Sequence, residues 1–155
     1  MDEFTLIEKY FKKLTYKNPS ALDLNDDVFF DKKNNVVISI DTYVEGAHFI
    51  NFRNPDLVIK KVIRSSISDL YCKGVKPKFI FIGASGNSNS FSNKNLNIIS
   101  KSLKEEQKKY DIKLSGGDTT KSKKTIFTIM SLGYSKRIAQ RLSLIHISEP
   151  TRPNC

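Results

Sequence analysis

Three short runs of apolar, β-branched or aromatic residues, separated by two long segments with helical spacing, constrain this chain more than anything else in it. Val36–Ile40 follows the turn signal Lys33-Asn34-Asn35 and predicts a strand ending at Asp41. Phe79-Ile80-Phe81-Ile82, within 78–84, predicts a buried strand, Ile126–Met130, within 125–132, predicts another, and Val28-Phe29-Phe30 an extra one. Between the first two runs Asn54 can cap a helix, Pro55 suits its first position and Asp56 its first turn. Ile59, Val62, Ile63, Ile67, Leu70 and Tyr71 continue that helix, and Gly74 with Pro77 ends it. Residues 94–110 predict a further helix with Leu96, Ile99, Leu103 and Tyr110 inward and Lys94, Lys101, Lys104 and Lys108 on a solvated face. Phe4, Ile7, Phe11 and Leu14 mark one face of an N-terminal helix, while 16–27 and 86–95 read as loops. Such an order predicts an α+β domain, a mixed sheet covered by helices.

The 155 residues suit one domain, and 39% hydrophobic residues can build a core, so a wholly disordered chain is excluded. No apolar run approaches the roughly 18 residues of a membrane-spanning helix, and the acidic start Met1-Asp2-Glu3-Phe4 is unlike a secretory leader. With only Cys72 and Cys155 there is no disulfide framework, and the expected setting is the reducing cytoplasm. The charge of +10 invites a nucleic-acid reading. However, lysines outnumber arginines 21 to 5, are scattered as pairs and never form a block of five. A solvated lysine surface, with neither nucleic acid nor membrane as partner, is the preferred reading.

The acidic residues are fewer and more pointed. Asp26-Asp27 lie in a loop, Asp41 at a strand end, Asp69 near a helix end, and Asp118 after Gly116-Gly117. Each stands beside small or hydroxyl residues, as a hard cation and a polyphosphate would require. Taken singly they read better as caps and turns, and Gly-Gly-Asp-Thr as a tight turn.

In combination they resemble a family. Asp26-Asp27, Ser39-Ile40-Asp41-Thr42-Tyr43-Val44-Glu45-Gly46-Ala47-His48-Phe49, Ser68-Asp69 and Gly116-Gly117-Asp118-Thr119-Thr120 stand in the order and spacing of the thiamine-monophosphate kinases. These are relatives of aminoimidazole ribonucleotide synthetase and selenophosphate synthetase. The similarity runs from Phe4 to about Tyr134. It implies an N-terminal ATP-binding domain, ATP and Mg²⁺ as cofactors, and thiamine phosphate as the substrate converted to thiamine diphosphate. It also implies a homodimer formed through the N-terminal sheets. Carried over by position, Asp27, Ser39, Asp41, Thr42, Asp69 and Asp118 are metal positions. Gly117, Asp118 and Arg141 are nucleotide positions, and His48 faces the thiamine phosphate. Transfer between two anions needs positioning and charge neutralisation rather than a nucleophilic side chain.

The chain departs from the family at several points. Asn25 replaces the glycine usual before the acidic pair, and tolerates positive φ better than most residues. Bulky Tyr71 and Lys73 fall where the family usually reads Ala-Ala-Met-Gly-Ala. The segment 142–155 does not resemble the family and reads as a foreign tail on a truncated gene. Residues 1–141 are therefore expected to be the ATP- and Mg²⁺-binding domain, with the C-terminal domain absent. The alternatives are another ATP-dependent enzyme of the superfamily, or a basic nucleic-acid-binding module.

Overall fold

The computed structural model describes residues 1–139. Five strands, β1 (Phe29–Asp31), β2 (Val36–Val44), β3 (Pro77–Gly86), β4 (Lys113–Lys121) and β5 (Ile126–Tyr134), form one mixed sheet in the order β1-β2-β5-β3-β4. β5 sits between β2 and β3 and is antiparallel to both, whereas β4 is parallel to β3 at the far edge. Helix α2 (Pro55–Cys72) connects β2 to β3 and α3 (Asn93–Tyr110) connects β3 to β4. This is the expected α+β architecture.

The helix boundaries follow their capping chemistry. The Asn54 side chain accepts the Leu57 N–H, Pro55 opens α2, and Gly74 at φ +73° turns the chain away. Ser92 caps α3, and Asp111 closes it in the left-handed region. Both helices cover one face of the sheet. Ile59, Val62, Ile63 and Ile67 of α2 pack on Tyr43, Ile80, Phe127 and Ile129, with Ile99 and Leu103 of α3 alongside. The rings of Phe49, Phe52 and Phe91 surround Phe127 at 6.5, 5.6 and 6.5 Å. A smaller core joins Val28 and Val37 to Leu70 and Val75 at the C-terminal end of α2.

Several expectations are corrected. β2 runs on to Val44, so Asp41 lies inside a strand rather than at its end. The Gly-Gly-Asp-Thr stretch is not a turn but part of β4. Leu96 is 45% exposed, and the inward face of α3 instead carries the polar Ser102 and Glu106. Those two are buried because each has a partner on α2: Asp56 accepts from Ser102 at 2.6 Å, and Arg64 forks onto Glu106 at 2.8 and 2.9 Å. The N-terminus is helical as α1 (Glu3–Leu6), followed by a wide turn over Ile7–Phe11 and a tight one over Lys12–Thr15. None of its residues is buried, so its apolar face meets no core among the described residues. The 16–27 loop contains a 3₁₀ turn, Pro19–Leu24, and Asn25 has φ −95°, so no positive φ is needed there. The lysine face of α3 is exposed as expected. Among the described residues, no helix is long and apolar enough to cross a membrane.

Candidate functional site

Alternation along β2 turns Ser39, Asp41 and Tyr43 to the face that α2 covers. Ile67 and Leu70 are driven into the core, which leaves Asp69 at the rim of α2 over that face. There Ser39 Oγ donates to Asp69 Oδ2 at 2.9 Å, and Tyr43 OH donates to Asp41 Oδ2 at 3.1 Å. The acidic loop arrives from the other side, anchored by Val28 in the smaller core. Asp26, Asp27, Asp41 and Asp69 then line one side of a cleft of about 1160 Å³, whose opposite wall is the N-terminal helical stretch.

Electrostatics ties this group together. The Asp69 carboxyl is pushed up from its ordinary 3.8 to about 6. Burial is the main cause; the Ser39 hydrogen bond opposes it, and the negative charges of Asp41 and Asp27 add to it. Burial likewise holds the Tyr43 phenol well above its usual range, with Asp41 contributing. A carboxyl whose affinity for a proton is raised by burial and by two neighbouring carboxylates belongs to a hard-oxygen donor set of the kind a divalent cation takes. Among the described residues, no three acidic, His or Cys side chains stand close enough to hold a metal by themselves.

Other expected site residues lie elsewhere. Thr42 is on the opposite face of β2, where its hydroxyl meets Thr128 at 3.0 Å. The cross-strand register runs Thr42, Thr128, Gly83, Asp118, which puts Asp118 in that row on the edge strand. Three strand spacings, about 14 Å, separate it from β2. The structure therefore groups Asp27, Ser39, Asp41 and Asp69, and leaves Thr42 and Asp118 apart from them. His48 follows the Gly46 turn; its Nδ1 accepts the Val44 N–H at 3.0 Å, so its neutral ring carries the proton on Nε2. Its ring stands edge-on to Tyr43 at 5.8 Å, and Lys61 donates to its carbonyl. Arg141 and the segment 142–155 lie outside the described residues.

Gly117 has a steric reason to be glycine: a Cβ there would stand 2.0 Å from the Ile82 carbonyl oxygen. Gly117→Ala is expected to push β4 from β3 and cost about 1–3 kcal/mol. It should also weaken any nucleotide binding at Gly117-Asp118, as read by denaturant unfolding and ATP titration. Gly83→Ala, whose Cβ would meet Thr128 at an ordinary 3.6 Å, is the control.

Two residues at the site escaped the sequence reading of function. Tyr43 was legible as the same-face neighbour of Asp41. Lys73, one helical turn beyond Asp69, was noted for bulk but not for charge. Elsewhere the lysines are dispersed and several are paired, Lys12 with Glu8, Lys60 with Asp56 and Glu105, and Lys76 with Asp111.

Residues 23–135 match the family described as AIR synthase related protein, N-terminal domain. The thiamine-monophosphate kinase of Haemophilus influenzae is 31% identical over 96% of this chain and 48% of that protein. Thiamine monophosphate kinase from Aquifex aeolicus shares the fold, with a TM-score of 0.75 at 23% identity over 90% of this chain and 44% of that one. A structure described as AaThiL complexed with AMPPCP and TMP gives the same TM-score, 0.75, over 88% of this chain and 43% of that one. The chain thus spans about half the length of the relatives it matches.

Proposed function

The chain belongs to the AIR synthase related proteins through their N-terminal domain, matched over residues 23–135, and from that premise we propose that it is the ATP- and Mg²⁺-binding part of a cytoplasmic thiamine-monophosphate kinase. The reaction moves the γ-phosphoryl group of ATP onto a phosphate oxygen of thiamine phosphate, releasing ADP and thiamine diphosphate. The observation that carries this reading is the grouping of Asp27, Asp41 and Asp69 at one cleft wall, with Asp69 raised by burial and by its acidic neighbours.

In this reading Asp27, Asp41 and Asp69 line the cation's place, one or two of them binding it beside water and phosphate oxygens, and the ion would neutralise charge between the two anionic reactants. Ser39 fixes one Asp69 oxygen and Tyr43 one Asp41 oxygen, so each carboxylate turns its remaining lone pairs to the cleft. His48, with Nε2–H as its donor, serves the phosphate of the acceptor. Gly117 and Asp118 form a separate nucleotide contact on β4, with Arg141 added by resemblance. No side-chain nucleophile is required, because the acceptor oxygen belongs to the substrate. The face of the sheet that α2 and α3 leave uncovered is the proposed homodimer surface.

The test is a coupled one on the chain and on the longest product of its gene. Isothermal titration with ATP and Mg²⁺ is expected to show binding by the chain. The longer product is expected to form thiamine diphosphate from thiamine phosphate, followed by thiochrome fluorescence. Phosphorylation of a different acceptor would overturn the substrate assignment, and absence of Mg²⁺-dependent ATP binding would overturn the reading as a whole.

A further inference from the structure

We propose that Lys61 is a substrate-positioning residue that supplies, beside His48, the positive charge recognising the phosphate of the acceptor; this rests on the acceptor reading of His48 and extends it to a residue on α2. The turn that carries His48 is firmly held. The Glu45 N–H donates to the Thr125 carbonyl, and the Glu45 carboxylate accepts the Thr125 N–H, both at 2.9 Å. The Val44 carbonyl accepts the N–H groups of Ala47 and His48 at 3.0 and 2.9 Å, and the Phe49 ring packs against Phe52 and Phe127. His48 itself is exposed, and its carbonyl accepts from Lys61 Nζ. That hydrogen bond ties the turn to α2 without neutralising the lysine. Other lysines of this helix end on carboxylates, Lys60 on Asp56 and Glu105 and Lys73 on Asp26. Among the described residues, Lys61 meets only the neutral carbonyl.

The charge matters because His48 lacks one. Its Nδ1 accepts the Val44 N–H, so the ring offers Nε2–H as a neutral donor. A phosphate monoester carries a charge of about −1.5 to −2 at neutral pH, which a neutral donor leaves uncompensated. Position along α2 relates Lys61 to the acidic cleft. Lys61, Ser65 and Asp69 stand four residues apart on one ridge of the helix, about 12 Å from first to last. Tyr43 joins the same two ends, its ring edge-on to His48 at 5.8 Å and its hydroxyl 3.1 Å from Asp41. A phosphate held by Lys61 and His48 therefore lies at one end of this row, and the carboxylates that line the cation's place lie at the other.

Imidazole proton–nitrogen correlation spectra of the full chain, titrated with thiamine phosphate and separately with thiamine, test this and tolerate weak affinity. The chain has two histidines, His48 and His146, and His48→Gln identifies the His48 signal. Thiamine phosphate is expected to shift the His48 Nε2 signal to saturation, whereas thiamine, with the same rings and no phosphate, should leave it in place. Lys61→Gln keeps an N–H donor for the His48 carbonyl and removes the charge. It should leave the ligand-free His48 signals unchanged while weakening thiamine phosphate about tenfold. Lys61→Arg keeps donor and charge and should bind within about threefold of wild type. Higher ionic strength should narrow the gap between wild type and Lys61→Gln. Lys61→Gln binding as tightly as wild type overturns the proposal alone, as does Lys61→Arg binding as weakly as Lys61→Gln. So does a Lys61→Gln chain whose ligand-free His48 signals move as its affinity falls, since Lys61 then only holds the turn. A wild-type His48 signal unmoved by thiamine phosphate, or moved equally by thiamine, overturns the acceptor reading of His48 and the proposal with it.

Discussion

Asp69→Asn is expected to stabilise the metal-free chain at neutral pH while weakening its divalent-cation binding by about 100-fold or more, beyond the loss typical of a group that only orients a ligand. Both effects have one cause. Asp69 is buried beside Asp41 and Asp27, which raises its carboxyl from 3.8 to about 6. A folded-state value above the unfolded one means that the native chain binds the proton more tightly than the unfolded chain does. Asp69 therefore favours folding below pH 3.8, and that contribution is lost as pH rises toward about 6. At neutral pH the metal-free fold carries an unfavourable buried charge. Asparagine removes the charge and still offers Ser39 an acceptor oxygen, so the melting temperature should rise and its pH dependence between 4 and 6 should flatten. A cation needs the ionised form, so wild-type affinity should fall about tenfold per pH unit below 6. Mn²⁺ titrations at several pH values check this, and equal affinity in the variant would remove Asp69 from the site.

Most of the scaffold was legible because its periodicities are strong. α2 carries apolar residues at helical spacing between a clear cap and a glycine stop, and the three apolar runs became strands β2, β3 and β5. β4 was hidden because Lys113–Lys121 is exposed along its whole length and has no apolar alternation; its strand conformation comes from pairing with β3 rather than from its own residues. For the same reason Asp118 looked like a turn residue, and its distance from Asp41 depends on a strand order that no local pattern encodes. The length of β2 was underestimated because Asp41 and Thr42 break the apolar run, although both stay in the ladder with β5. On α3 the inward Glu106 defeats a rule based on hydrophobicity alone, because its partner Arg64 belongs to another helix. At the site, the aspartates were legible through resemblance. The Lys73–Asp26 pair was not, since it joins positions 47 residues apart and Lys73 departs from the family pattern.

Phe127→Ala is expected to cost about 3–5 kcal/mol, a large part of the roughly 5–15 kcal/mol that holds a domain of this size together. Phe127 is 1% exposed and lies on β5, the strand that both β2 and β3 pair with. Three aromatic rings from the 49–52 segment and the loop before α3 close on it, and none of these can follow a retreating side chain without dragging its own backbone. The cavity should therefore stay open rather than collapse, which puts the cost toward the upper end of the range. The consequence reaches the site as well. Phe127 is the cross-strand partner of Tyr43, whose hydroxyl holds Asp41, so loosening that pair should weaken Mn²⁺ binding severalfold in conditions where the variant is still folded. Phe79→Ala provides the contrast: its ring is only half-buried, on the helix-free face against Tyr134, and the same deletion there should cost about 1 kcal/mol and leave cation binding unchanged. Denaturant unfolding and Mn²⁺ titration of the two variants distinguish the cases, and equal losses from both would show that the sheet is not organised around the Phe127 cluster.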